Sequence, residues 1–352
     1  QSAGLVAGPR LWDAFRAKGR RVAMLFWQQS LGEAADILLS PAPIHKHHGG
    51  MIQDCYGKPD TLYGDLCRRL GGPFNLRHYW GPMASGRSSG WIARATCEVL
   101  AGCPEPPDLC LTYLPVLDYD LQRYGPEHAR SRRAFQELRG QLALLRQACY
   151  RHGFELLVYG DYAMERCPGG PVFLNRTLRE KGWLATRRVE GRRLYPDFYE
   201  SRAFAMVDHQ VAHVYVRDTA DVGRVGEELR QVPGVGDVRA PAALEGGRLA
   251  HANSGELVVL AAPGRWLAYP WWQESSEEPD YARHVDIHSK PGYDPCELLW
   301  GWPPGSVSRA AERINGSHGL TGPGREACWA ATFLKGEPLS LIELAGRARQ
   351  WM

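Results

Sequence analysis

Two aspartates directly follow apolar stretches that read as strands. Asp118 comes after Pro107–Pro115 (PDLCLTYLP), and Asp161 comes after Phe154–Tyr159 (FELLVY). In parallel α/β sheets, ligands gather beyond the carboxyl ends of the strands. Carboxylates at adjacent strand ends repel one another unless a cation neutralises them, so a divalent ion is the first chemistry to consider. A local role is the alternative: an aspartate in this position can cap the next helix.

Histidines are the second group able to do chemistry. His209 and His213 lie in DHQVAH, His284 and His288 in RHVDIH, and His318 in GSHG. Gly316 and Gly319, on either side of His318, leave room for close approach by an ion or phosphate. Asp286 and His288 alternate along one segment, which puts them on one face if it is extended. A buried hydrogen-bonded pair fits that spacing equally well. His45-Lys46-His47-His48 looks like a metal clip, but its spacing suits an exposed loop better. Ser85, Ser88 and Ser89 form a hydroxyl cluster, and Ser88 reads as the N-cap of the helix that follows.

Leu114–Asp118, continuing through Gln122 to Tyr124-Gly125-Pro126, resembles the strand-end motif Asp-x-x-Gly-His-x-x-Gly-Pro. That motif belongs to the alkaline phosphatase superfamily, in its type I phosphodiesterase/nucleotide pyrophosphatase branch. Tyr159–Met164 sits where this branch has Ser-Asp-His-Gly-Met, and Gly316–Gly319 resembles its late His-Gly loop. FLNRTLREKGWL, SRAFAMVDHQVAHVYV and VDIHSKPGYDPCELL are similar to a bacterial subgroup.

The resemblance implies a phosphoester hydrolase acting on a small-molecule substrate through divalent metal ions, two in number (Zn²⁺, Mn²⁺ or Mg²⁺). Carried onto this sequence, Asp118 and His318 serve one ion and Asp161 the other. Gln122 and Tyr162 stand where the family has histidines; an amide and a phenol are weaker zinc ligands and shift preference toward harder ions. Asp208, His209, Asp286 and His288 are the residues available to compensate. The resemblance places the nucleophile upstream of Gln1, so no catalytic residue is assigned within the chain. The two replaced histidines also admit a non-catalytic member of the fold, acting as a binding or scaffold protein.

The elements that must position these groups follow from periodicity. Strands are expected at 21–28, 107–115 and 154–159, with helices near 11–18, 61–70, 88–101 and 127–151. On the last helix, Phe135, Leu138, Leu142, Leu145 and Cys149 are expected to face the core. Strand, helix and strand in succession predict an α/β fold, a mostly parallel sheet covered by helices on both faces. From about 171 to 281 the pattern changes to shorter elements, including a strand at His213–Arg217, and predicts a small α+β insertion of cap-like kind. The expected organisation is a core at 1–170, the insertion at 171–281, and a return to the core at 282–352, with a last helix from Pro338.

Composition narrows the partners. Across 352 residues the apolar share is 44% and the charged share 23%, which excludes a mostly disordered chain. A formal charge of +3 gives no reason to expect a nucleic-acid polymer, and Arg187-Arg188 and Arg192-Arg193 read as a solvated face. No apolar run reaches the ~18 residues of a membrane span. No secretory signal opens the sequence, and nine scattered cysteines without a C-x-x-C suit reduced thiols. Both features lead to an expectation of a cytoplasmic protein.

Overall fold

The computed structural model describes every residue except 1, 48–49, 245–246, 248, 287–289 and 339. The chain is a mixed α/β protein that divides into two compact units. The first comprises residues 1–119, 132–161 and 327–352; the second comprises 120–131 and 162–326.

The first unit is built around two central strands, apolar enough to be buried on both faces. β1 (Val22–Leu25) and β2 (Ile37–Pro41) are buried along their whole length. With β3 (Cys55–Lys58) and β4 (Leu109–Thr112) they form one sheet in the order β3-β2-β1-β4. β1 pairs in parallel with β2 and with β4, and β3 joins the edge antiparallel to β2. Alternation along the strands divides the core. Ala23, Leu25, Ile37 and Leu39 pack with residues of α2 (Leu62–Leu70) and α3 (Gly86–Leu100), whereas Val22, Met24 and Leu38 pack with Trp12 and Phe15 at α1 (Asp13–Ala17). Helices therefore cover both faces, as the succession of elements predicts.

Three expectations are corrected. Ser88 does not cap α3: the helix begins at Gly86, and Ser88 lies within its first turn, buried, with its hydroxyl donating to the Ser85 carbonyl at 2.9 Å. Phe135 does not face the core; on α5 (Ala129–His152) it is 51% exposed, while Ala134, Leu145, Ala148 and Cys149 are buried. FELLVY contributes only the short strand Leu157–Tyr159, which pairs antiparallel with Trp329–Ala331 and not with the β3-β2-β1-β4 sheet.

The second unit centres on a four-stranded antiparallel sheet. Its strands, in chain order, are β5 (Ala203–Asp208), β6 (Val211–Val216), β7 (Val235–Arg239) and β8 (Leu257–Ala261), paired in the order β5-β6-β8-β7. Leu174 and Leu178 of the helix Leu174–Glu180, with Val225 and Leu229 of Val222–Arg230, share its core. Asn175, buried at 0% exposure, fixes the first helix to the sheet: its amide donates to the Ala205 carbonyl at 2.8 Å and accepts from the Ala205 N–H at 2.9 Å. Among the described residues, no helix is long and apolar enough to cross a membrane. All nine cysteines carry free thiols.

Candidate functional site

Asp118 lies in the first turn of α4 (Val116–Tyr124), the helix that follows β4, and is half-buried. Its N–H donates to the Pro115 carbonyl at 3.1 Å. Gln122 sits four residues later, on the same helical face. It is fully buried, with its amide nitrogen 3.0 Å and its amide oxygen 3.1 Å from the Tyr293 hydroxyl. Asp161 follows the strand Leu157–Tyr159 and is exposed.

The second unit gathers the imidazoles. β5 and β6 pair from Asp208↔Val211 outward, leaving His209 and Gln210 as the hairpin tip. Such two-residue turns need left-handed backbone, and His209 adopts it at φ 59°. The tip is pinned at several points. The Gln210 N–H donates to the His318 carbonyl at 2.9 Å, and the Leu267 N–H donates to that of His209 at 2.7 Å. The buried Gln210 side chain donates to Glu165 Oε1 at 2.5 Å and to the Arg265 carbonyl at 3.0 Å. Arg325 donates to the other Glu165 oxygen at 2.7 Å. Burial works against the Glu165 charge, but these donors and the Gly264 N–H outweigh it and hold the carboxyl below its ordinary range.

His318 is carried by the short strand Gly316–Ser317, which pairs antiparallel with Glu165–Arg166. Asn315, just before it, caps the end of α4: its side chain donates to the Arg123 carbonyl at 2.8 Å, and its backbone N–H to that of Gln122 at 3.0 Å. Tyr162 and His318 thus flank one small ladder, and their rings meet at 3.5 Å with an 8° interplanar angle. The other neighbour of His318 is His209, at 3.7 Å and 33°, and His209 stacks in turn on Tyr293 at 3.9 Å and 25°. The result is a column of rings in the order Tyr162, His318, His209, Tyr293. Tyr293, Gln210 and Glu165 carry no motif that would single them out in sequence. The apolar runs Ala203–Val207 and Val211–Val216 on either side of Asp208-His209-Gln210 are a signal that could have placed a hairpin tip there, where only a strand at His213–Arg217 is expected from the sequence.

Electrostatics follow from this packing. Burial, reinforced by the neighbouring His209 and opposed by Asp208, pushes His318 down to about 3, so it is neutral at ordinary pH. Asp208 is exposed at the surface, with His209 Nδ1 2.6 Å from its carboxylate. Crowding raises its pKa, but the bond to His209 and the imidazoles of His209, His318 and His213 prevail and lower it. A carboxylate only accepts, so Nδ1 carries a proton toward it. The other ring nitrogen, His209 Nε2, is buried and meets no hydrogen-bond partner among the described residues.

The remaining candidates lie elsewhere. His213 is half-buried on β6 and accepts from the Gly255 N–H at 3.3 Å; burial lowers its pKa. His284, His45 and His47 are exposed. The Asp286 N–H donates to Glu297 at 2.9 Å, and His288 and His48 fall outside the described residues. Ser88 and Ser89 are buried within α3.

These groups meet the requirements of a divalent ion only in part. Asp118 and Asp161 offer hard oxygens, and a neutral imidazole such as His318 is what a metal requires. Gln122 and Tyr162 do not fit, because the amide is engaged with Tyr293 and the phenol ring lies flat on His318. His209 and His318 pack ring against ring, tilted by 33° with centroids 3.7 Å apart. Among the described residues, no three His, Cys, Asp or Glu side chains converge as a preformed cage.

Comparison with solved structures finds the same fold in phosphonoacetate hydrolase from Sinorhizobium meliloti 1021. The complex with phosphonoacetate superposes with a TM-score of 0.59 at 15% identity, covering 99% of this chain and 75% of that one. The complex with phosphonoformate gives 0.51 at 15%, covering 90% and 69%. Human ectonucleotide pyrophosphatase/phosphodiesterase 5 gives 0.46 at 14%, covering 76% and 57%. Comparison with curated protein sequences gives no match. The family described as type I phosphodiesterase/nucleotide pyrophosphatase matches residues 1–294, which take in Asp118, Gln122, Asp161, Tyr162 and the Asp208–Gln210 tip but stop short of His318. With most of its length so matched, the chain belongs to the type I phosphodiesterase/nucleotide pyrophosphatase family.

Proposed function

We propose that this protein is a phosphoester hydrolase acting on a small-molecule phosphoester or phosphonate. The observation that carries the reading is Asp118, held in the first helical turn after a parallel strand within the stretch that matches the family. Ligands of parallel sheets bind at that end of a strand. The proposal keeps divalent-metal dependence, with Asp118, Asp161 and His318 as its candidate ligands, and leaves out Gln122 and Tyr162. A bound ion would supply charge neutralisation at the phosphoryl group. The chain's own part is to present two carboxylates and one neutral imidazole. No nucleophile is assigned among residues 1–352.

The test is hydrolysis of bis(p-nitrophenyl) phosphate by the full-length protein with Mn²⁺, Zn²⁺ or Mg²⁺, alongside metal analysis. Asp161→Ala, at an exposed position, should lower turnover by about 100-fold or more while leaving the fold intact. Unchanged turnover in that variant, with no metal bound by the wild type, would sink the proposal.

A second reading is favoured by the closed Gln122–Tyr293 pair: a non-catalytic member of the family that binds a phosphoester ligand without turning it over. It expects saturable ligand binding and no hydrolysis with any of the three ions.

A further inference from the structure

We infer that Asp208 and His209 are positioning residues, which set the ring plane of His318 from the neighbouring hairpin and do not themselves bind an ion. The inference rests on the hydrolase reading for the task it gives His318, but its geometry stands apart from that reading. His318 has a ring on each face, Tyr162 at 3.5 Å and His209 at 3.7 Å. A side chain sandwiched in this way can turn about neither of its outer torsions without striking a neighbour. His209 can serve as a fixed wall because it is itself held, by Asp208 at Nδ1, by Tyr293 on its far face, and by a hairpin tip whose buried Gln210 donates to Glu165. The Gln210 N–H bond to the His318 carbonyl couples hairpin to loop through the backbone as well. A left-handed backbone at a histidine is uncommon, and it persists where the surroundings over-determine it.

The arrangement parallels a carboxylate that orients a histidine through its far nitrogen, with one difference. Here the oriented histidine passes its constraint on by stacking. Its Nδ1 is taken up by Asp208, and both of its ring faces are covered, by His318 and by Tyr293.

The experiment is NMR of the imidazole C–H groups of His318 in His209→Ala and His209→Phe, with thermal melts and phosphodiester turnover measured on the same samples. A ring stacked on two aromatic faces has upfield-shifted C–H resonances. The inference expects His209→Ala to move them toward ordinary values and His209→Phe, which keeps a flat ring, to restore them. Turnover should follow the same order, falling by about tenfold or more in the first variant and recovering in the second. Asp208→Ala, at an exposed site, should produce a smaller shift in the same direction even if His209→Ala fails to fold. Unmoved His318 resonances in Asp208→Ala and in folded His209→Ala overturn the inference, whatever the turnover. Resonances that move as expected in a protein hydrolysing nothing would overturn the hydrolase reading and leave the positioning role in place.

Discussion

The imidazole of His318 lies flat on the phenol of Tyr162, 3.5 Å away and 8° from parallel. A residue that the motif comparison placed at a ligand position acts here as a lid on another ligand candidate. Covering that face removes water from the ring, and burial is the leading reason His318 falls from 6.5 to about 3. The unfolded chain accepts a proton near pH 6.5 that folded His318 refuses down to about 3. Stability should therefore decline as pH drops through that window, with no further loss from this group below it. Urea unfolding at a series of pH values checks this. His318→Phe keeps a flat ring without a titrating nitrogen and should flatten the slope, whereas an unchanged slope would assign it to other groups.

How much of this was legible in sequence depends on how local each signal is. β1, β4, α3 and α5 are readable because their apolar spacing is complete within each segment, whereas the short strand β2 (Ile37–Pro41) is missed. FELLVY misled because a short apolar run looks the same whether it joins a central sheet or pairs with Trp329–Ala331 far along the chain. Phe135 misled because on a long, half-exposed helix the smaller Ala134 and Ala148 face the core. The aspartates and histidines were singled out individually, but the column was not, because its four rings come from four separate segments. Only their packing makes Tyr162 a cover and His209 a wall.

Gln122 offers a direct test of what the altered motif does. Its buried amide is engaged with the Tyr293 hydroxyl, so Gln122→His gives up that contact at a cost of about 1–2 kcal/mol. If the scaffold still holds the family's ligand geometry, the new imidazole should raise affinity for Zn²⁺ by roughly tenfold or more. Competition against a chromophoric chelator reads the affinity, and a melt without metal reads the cost. Lower stability with no gain in zinc affinity would mean that the ligand geometry has been lost along with the histidine.

Tyr293 owes its place to an ion cluster in the turn around it. Lys290 Nζ, fully buried, lies 2.8 Å from both Asp294 and Glu297. Burial raises the Glu297 pKa even though Lys290 opposes the shift. Lys290→Met leaves two buried carboxylates facing each other and should destabilise by about 3–5 kcal/mol at neutral pH. A carboxyl whose folded pKa is raised takes up a proton more readily in the folded state, so the variant should regain stability as pH falls toward 4.5. Denaturant midpoints at neutral and mildly acidic pH measure this. A deficit that does not shrink with acid would point to lost packing and not to stranded charge.

Gly316 is where the His318 loop comes closest to another backbone. A Cβ there would run into the Leu121 carbonyl oxygen and come within 3.4 Å of the Gly125 Cα. Both obstacles are main chain at the end of α4, where the Gly125 N–H already donates to that Leu121 carbonyl at 2.8 Å, so neither can move aside as a side chain could. Gly316→Ala should therefore cost about 3 kcal/mol, at the upper end for overpacking. Gly140, with open space around it in the middle of α5, is the control: Gly140→Ala should stabilise by up to about 1 kcal/mol, since alanine favours a helix over glycine. Because Gly316 lies two residues before His318, its substitution should also pull the imidazole off Tyr162 and shift the His318 resonances. The control should leave them where they are. A Gly316→Ala protein as stable as wild type, with His318 still stacked, would show that the loop is not held by this contact.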